Sequence, residues 1–78
     1  MSRNTLSSLS PQEVKEIRKK LNMSQSQFAK FFHIPISTIH KWEQGIRKPD
    51  STSTAYLRTI NLFPDEVRIA QNTDVTNG

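Results

Sequence analysis

The sequence predicts an all-α fold, a bundle of five short helices. Three observations predict it: capping boxes at Ser10 and Ser24, apolar residues recurring at helical spacing behind them, and proline or glycine stops at Pro35, Gly45, Pro49 and Pro64. With 78 residues, the chain holds one small domain whose core leaves little margin of stability. No internal repeat or low-complexity linker divides it. The organisation expected is an arm at residues 1–9, a helical domain at 10–71 and a disordered tail at 72–78.

The arm is polar and serine-rich and carries no cap, which reads as mobile chain. In Ser10-Pro11-Gln12-Glu13 a capping box is joined to proline at the first helical position, so a helix starts there and runs to about Leu21. Val14, Ile17 and Leu21 form its buried stripe. Arg18 lies on the same side, where a charge is expensive without a partner. Asn22 ends the helix, and Met23 plugs the gap before the next.

Ser24 and Gln27 form the second capping box, and a helix follows from Gln25 with Phe28, Ala29 and Phe32 on one face. His33-Ile34-Pro35 interrupts it, because proline disfavours helical geometry in the residue before it while suiting the first turn of a new helix. The third helix runs from about Ile36 to Gln44. Ile39 and Trp42 face inward, which leaves Ile36, Ser37, His40, Lys41 and Gln44 on or near the opposite side. Gly45 stops it.

Ile46-Arg47-Lys48-Pro49 is a basic loop. Asp50-Ser51-Thr52 offers several N-caps for a fourth helix over about Thr52 to Leu62, burying Ala55 or Tyr56 with Leu57 and Ile60. Pro64 followed by Asp65 and Glu66 opens a fifth helix to about Gln71. Leu62, Phe63, Val67 and Ile69 give this end more apolar surface than a monomer needs.

A short helix, a tight turn and a second helix with a small, polar and basic outer face is the layout that sends a recognition helix into the DNA major groove. The runs MSQSQFAKFF and STIHKWEQGIRKP resemble the helix-turn-helix of the XRE family, the Cro and phage-repressor class with the lambda-repressor-like fold. They are most similar to HigA-type antitoxins and small autonomous regulators. The resemblance covers roughly residues 10 to 70, and is strongest at Ser24-Gln25, Phe28-Ala29, Trp42-Glu43-Gln44-Gly45 and Arg47-Lys48-Pro49. Two positions depart from it: His33 stands where the family usually has glycine, and Pro35 replaces the usual Ser or Thr cap. The resemblance implies a structural ion pair between Arg18 and Glu43 that orients the first and third helices. It also implies that the Arg47-Lys48 loop lies along the sugar-phosphate backbone.

Charge is distributed to match. From Lys15 to Lys48 there are eight basic residues and two acids, a balance of +6, whereas the remainder has three and five. A basic middle coinciding with the motif is the footprint of a DNA-binding domain; its rival is an ordinary solvated surface. Arg3 is the arm's one cation, thin evidence for a minor-groove contact.

Affinity would come from phosphate neutralisation by Arg47 and Lys48, from Ser24 and Gln25 at the start of the second helix, and from Thr38 and Gln44. Base readout falls to Ile36, Ser37, His40 and Lys41: lysine donates to guanine O6 and N7, serine is permissive, and isoleucine meets a thymine methyl. Ile36 has an alternative place, packed under the turn. Trp42, at helical spacing from Ile39, reads as core rather than as a stacking platform, and Phe31 reads equally as a partner contact or a half-buried flank.

One recognition helix reads only a few base pairs, so a homodimer through Leu62, Phe63 and Val67 is expected, on an inverted repeat of double-stranded DNA with half-sites about 34 Å apart. The leading function is a transcriptional regulator, a repressor of its own promoter. The second is an antitoxin that caps a small RNase toxin. An enzyme is not expected: there is no Gly-rich phosphate loop, nucleophile elbow or paired acid and base. With no cysteine, and with His33 and His40 outside any ligand spacing, neither a metal nor another cofactor is expected. No run of about 18 apolar residues and no apolar leader is found, so a cytoplasmic protein without a membrane partner is expected.

Overall fold

The computed structural model describes residues 8–72 and holds five helices: α1 (Pro11–Lys20), α2 (Gln25–Phe32), α3 (Ile36–Gln44), α4 (Ser51–Leu62) and α5 (Pro64–Asn72). The tail from residue 73 on and the arm to residue 7, Arg3 included, lie outside the described residues. Both capping boxes close. Ser10 Oγ accepts from Glu13 N–H while the Glu13 carboxylate accepts from Ser10 N–H, and Ser24 and Gln27 do the same with an amide oxygen.

Three helices stop by one device. Asn22, His33 and Gly45 adopt the left-handed conformation after α1, α2 and α3, with φ of 58°, 58° and 76°. The next N–H then reaches back five residues, from Met23 to Arg18 O, Ile34 to Ala29 O and Ile46 to Lys41 O, closing carbonyls the helix leaves open. Histidine therefore does at the motif's turn what glycine does elsewhere, against a penalty of roughly 1 kcal/mol.

The core is one cluster. Val14 and Ile17 from α1, Phe28 and Phe32 from α2, Ile39 and Trp42 from α3, Leu57 and Ile60 from α4 and Val67 from α5 are buried together. Phe28 and Phe32 meet in a tilted pair with centroids 4.9 Å apart. α3 packs on α1 and α2, while α4 and α5 close the bundle from behind. Each fully buried aliphatic or aromatic side chain contributes roughly 2 to 3 kcal/mol.

Polar clasps hold the rear elements. Tyr56 Oη donates to Phe32 O at 2.7 Å, and Lys20 Nζ donates to Asn61 Oδ1 at 2.6 Å. Asn72 Nδ2 donates to Phe31 O and Arg68 O, which leaves Oδ1 to accept from His33 Nε2 at 3.2 Å. The end of α5 is thus tied to the turn between α2 and α3.

Several expectations are corrected. Leu9, assigned to the mobile arm, is 7% exposed in the core, and Ser8 Oγ donates to Pro49 O at 2.6 Å. Asn72, assigned to the tail, ends α5. α4 starts one residue earlier than Thr52, because Asp50 caps it by accepting from Ser53 N–H at 2.8 Å. Thr54 takes the buried place expected of Ala55 or Tyr56; its hydroxyl reaches Pro49 O, while Ala55 is exposed and Tyr56 half-buried.

Gly45→Ala isolates the backbone penalty. An added Cβ would find its nearest neighbour, Pro11 Cγ, at an ordinary 3.5 Å, so only the left-handed conformation is opposed. The expected loss is roughly 1 kcal/mol in urea unfolding, with an unchanged denaturant slope.

Candidate nucleic-acid interface

α3 is built to present one face. Ile39 is fully buried and Trp42 5% exposed, so the helix is anchored from behind at positions three apart. Ile36, 39% exposed, stands in solvent with Ser37, His40, Lys41 and Gln44, and Thr38 is half-buried at the edge. The four residues expected to read bases therefore share one open surface. Ile36 is not packed away under the turn. Pro35 lends α3 no side-chain cap, but its carbonyl accepts from Thr38 and Ile39 N–H.

Behind that face lies a charge network. Arg18 Nε and Nη2 grip Glu43 Oε2 and Oε1, each at 2.8 Å, and Arg18 Nη1 donates to Met23 O at 3.0 Å. The two side chains are 13% and 3% exposed. Burial pushes the Glu43 carboxyl upward, but hydrogen bonds from Arg18 and Gln25 and the charges of Arg18 and Lys15 outweigh it and hold the group below the ordinary carboxylate range. The same hydrogen bond to Glu43 raises the Arg18 guanidinium, against its own burial.

The Gln25 side chain turns inward, and Nε2 donates to Glu43 Oε1 at 3.0 Å, which leaves the helix N-terminus, rather than this amide, to meet a phosphate. Glu43 has lone pairs that Arg18 alone does not fill, and a buried carboxylate takes every available donor. Ser24 stays exposed beside it; its oxygen accepts from Gln27 N–H, so its hydroxyl proton remains available to a ligand.

The cations of the loop and of α3 converge. Lys41, Arg47 and Lys48 line a surface concavity of about 340 Å³ with Thr38, Trp42, Asp50 and Ser53. Other hollows have similar volumes, about 330 and 320 Å³, so charge rather than size distinguishes this one. Asp50 is its one acid, and that carboxyl is held low first by the Ser53 backbone and side chain and further by the charge of Arg47. Trp42 and Ser53 were not legible as members of this wall: one reads as core, and the other lies in the next helix.

At the end of α4, Leu62 and Phe63 are exposed at 69% and 54%, but Val67 is 8% exposed and belongs to the chain's own core. Pro64 at the start of α5 sets the helix phase, which turns Val67 toward α2 and α4 and leaves Ile69, 59% exposed, facing outward. Phe31 is half-buried, with the Arg68 guanidinium 5.7 Å from its ring centroid. Among the described residues no cluster of three His, Cys, Asp or Glu that could hold a metal ion is found, and no helix is long and apolar enough to cross a membrane.

Three similarities bear on this geometry. Residues 14–53 match the family model described as Helix-turn-helix. The chain is 33% identical over 57 residues to Antitoxin HigA-2 of Vibrio cholerae serotype O1; the match covers 73% of this chain and 55% of that protein, so the chain spans about half of its relative. A crystal structure of an HTH XRE-family like protein from Agrobacterium tumefaciens superposes with a TM-score of 0.76 at 34% identity, covering 82% of this chain and all of the other.

Removing one partner of the buried pair leaves a charge without compensation. Glu43→Ala is expected to lower stability by about 3 kcal/mol at neutral pH. Because the native Glu43 carboxyl lies below its unfolded value, its stabilisation is complete above about pH 4.5 and is lost as pH falls through the lowered native value. Urea midpoints recorded from neutral to acid pH should show this part of the acid loss in the native chain and not in Glu43→Gln.

Proposed function

We propose a function from one fixed point: the chain belongs to the XRE family of helix-turn-helix DNA-binding proteins. It is a sequence-specific transcriptional regulator that binds double-stranded DNA as a dimer on an inverted repeat and represses its own promoter. The observation that carries this reading is the open face of α3, where Ile36, Ser37, His40 and Lys41 stand free while Ile39, Trp42 and Glu43 fix the helix from the other side.

The roles divide by chemistry. Lys41 offers an ammonium to guanine O6 and N7, His40 and Ser37 donate or accept at base edges, and Ile36 meets a thymine methyl. Arg47 and Lys48 neutralise phosphates, with Ser24, Thr38 and Gln44 adding hydrogen bonds that set the register. Leu62 and Phe63, joined by Ile69 in place of Val67, form the apolar surface through which two copies meet. One helix covers only a few base pairs, and pairing two about 34 Å apart multiplies the discrimination.

A second reading is favoured by the relative named as an antitoxin. In it the chain also binds a small RNase toxin, and DNA binding serves autoregulation. Co-purification with the product of an adjacent gene separates the two.

Selection of bound sites from random duplexes tests the main reading. Lys41→Ala is expected to change preference at one or two positions and lose about 1 to 3 kcal/mol on the selected site. Arg47→Ala should weaken all sequences alike and reduce the salt slope by roughly one phosphate's worth. Identical behaviour of the two variants across the pool would refute the division of labour. In sizing experiments Phe63→Glu should shift the complex toward one chain per duplex, and an unchanged dimer would move the interface elsewhere.

A further inference from the structure

We propose that the indole N–H of Trp42 donates a hydrogen bond to a DNA phosphate seated in the concavity formed by α3, the following loop and the start of α4. The inference rests on the DNA-binding reading and deepens it, placing a neutral donor beside the cations.

Trp42 is 5% exposed, and packing beside Ile39 accounts for its ring. Its Nε1–H is a different matter. That donor has no hydrogen-bond partner among the described residues. Buried donors are almost always satisfied, and an aliphatic residue would fill the same core space without stranding a polar group. Trp42 lines the hollow shared with Lys41, Arg47 and Lys48, so the residue that carries the unmet donor borders the convergent cations.

The hollow suits an anion. Three cations against Asp50, whose carboxylate is engaged by the Ser53 N–H, leave an excess of two positive charges around about 340 Å³. Thr38 and Ser53 add hydroxyl donors. A phosphodiester bears one negative charge over two unbridged oxygens, so one can face the cations while the other takes the indole N–H. Lys41 belongs both to this wall and to the open face of α3, which puts the hollow beside the surface that would lie on the duplex. Phosphate is the anion that such a surface meets first.

The full chain and duplexes of arbitrary sequence suffice for the test, because a phosphate contact does not depend on the operator. Trp42→Phe removes the donor and keeps an aromatic ring. It is expected to bind every duplex about tenfold more weakly, the loss of one hydrogen bond to a charged oxygen. Its salt dependence should match that of the native chain, since a neutral donor releases no counterion. Trp42 is the sole tryptophan. Its single indole N–H resonance in the native chain should move downfield and become protected from solvent exchange as duplex is added, a measurement that needs no variant. An indole resonance unmoved by bound duplex, or full affinity in a folded Trp42→Phe chain, overturns the inference. If the native chain binds no duplex even at low salt, the DNA-binding reading itself falls.

Discussion

The rest of the molecule depends on the grip between Arg18 and Glu43. It joins the last turn of α1 to the last turn of α3, and the same carboxylate takes the first residue of α2 through Gln25. Arg18 also reaches the carbonyl of Met23, in the link between α1 and α2. Three helices and one loop therefore converge on a single buried charge pair. A buried ion pair is poor evidence of net stability, because desolvation offsets much of the attraction. Its contribution here is geometric: a planar, two-point contact with every acceptor engaged allows one arrangement of α1, α2 and α3 and disfavours their sliding.

That rigidity matters because none of these helices would persist alone. They are 8 to 12 residues long, below the length at which isolated helices are stable in water. Their ends are closed locally by capping boxes and left-handed stops, and their inner faces by one small core. Economy at the helix ends makes tight turns affordable, and tight turns hold α2 and α3 in the relation that exposes one side of α3. The rear helices serve the same purpose at a distance. Tyr56 closes a carbonyl at the end of α2, and Asn72 ties α5 to His33 in the turn.

Charge then follows shape. The same helix whose inner side carries Ile39, Trp42 and Glu43 carries Lys41 outward, and the left-handed Gly45 brings Arg47 and Lys48 back toward it. The positive surface is thus a consequence of where α3 stops. At the end of α4 Leu62 and Phe63 are exposed, while Ile69 of α5 stands in solvent beside Phe31 and Asn72. The polar, basic face fits a module that binds a duplex.

The helices were legible because their signals are local. Ser10, Ser24, Gly45 and Pro64 each act on the few residues around them, and the inward stripe of α3 follows from helical spacing. Arg18 was recognisable as a charge needing a partner, and family resemblance supplied Glu43. What depended on a third element was not legible. Gln25 turned inward because a carboxylate eighteen residues away had a lone pair to fill. Leu9 joined the core beside α1 and α4, next to a Ser8 bonded to the Pro49 carbonyl, and Val67 was withdrawn from the apolar surface because the phase of α5 is set against α2 and α4. Short-range hydrogen bonding and periodicity are written along the chain, so the sequence by itself determined the helices and the face that α3 offers. Which side chains share a hollow or a carboxylate depends on how helices pack, and only the tertiary structure decided that.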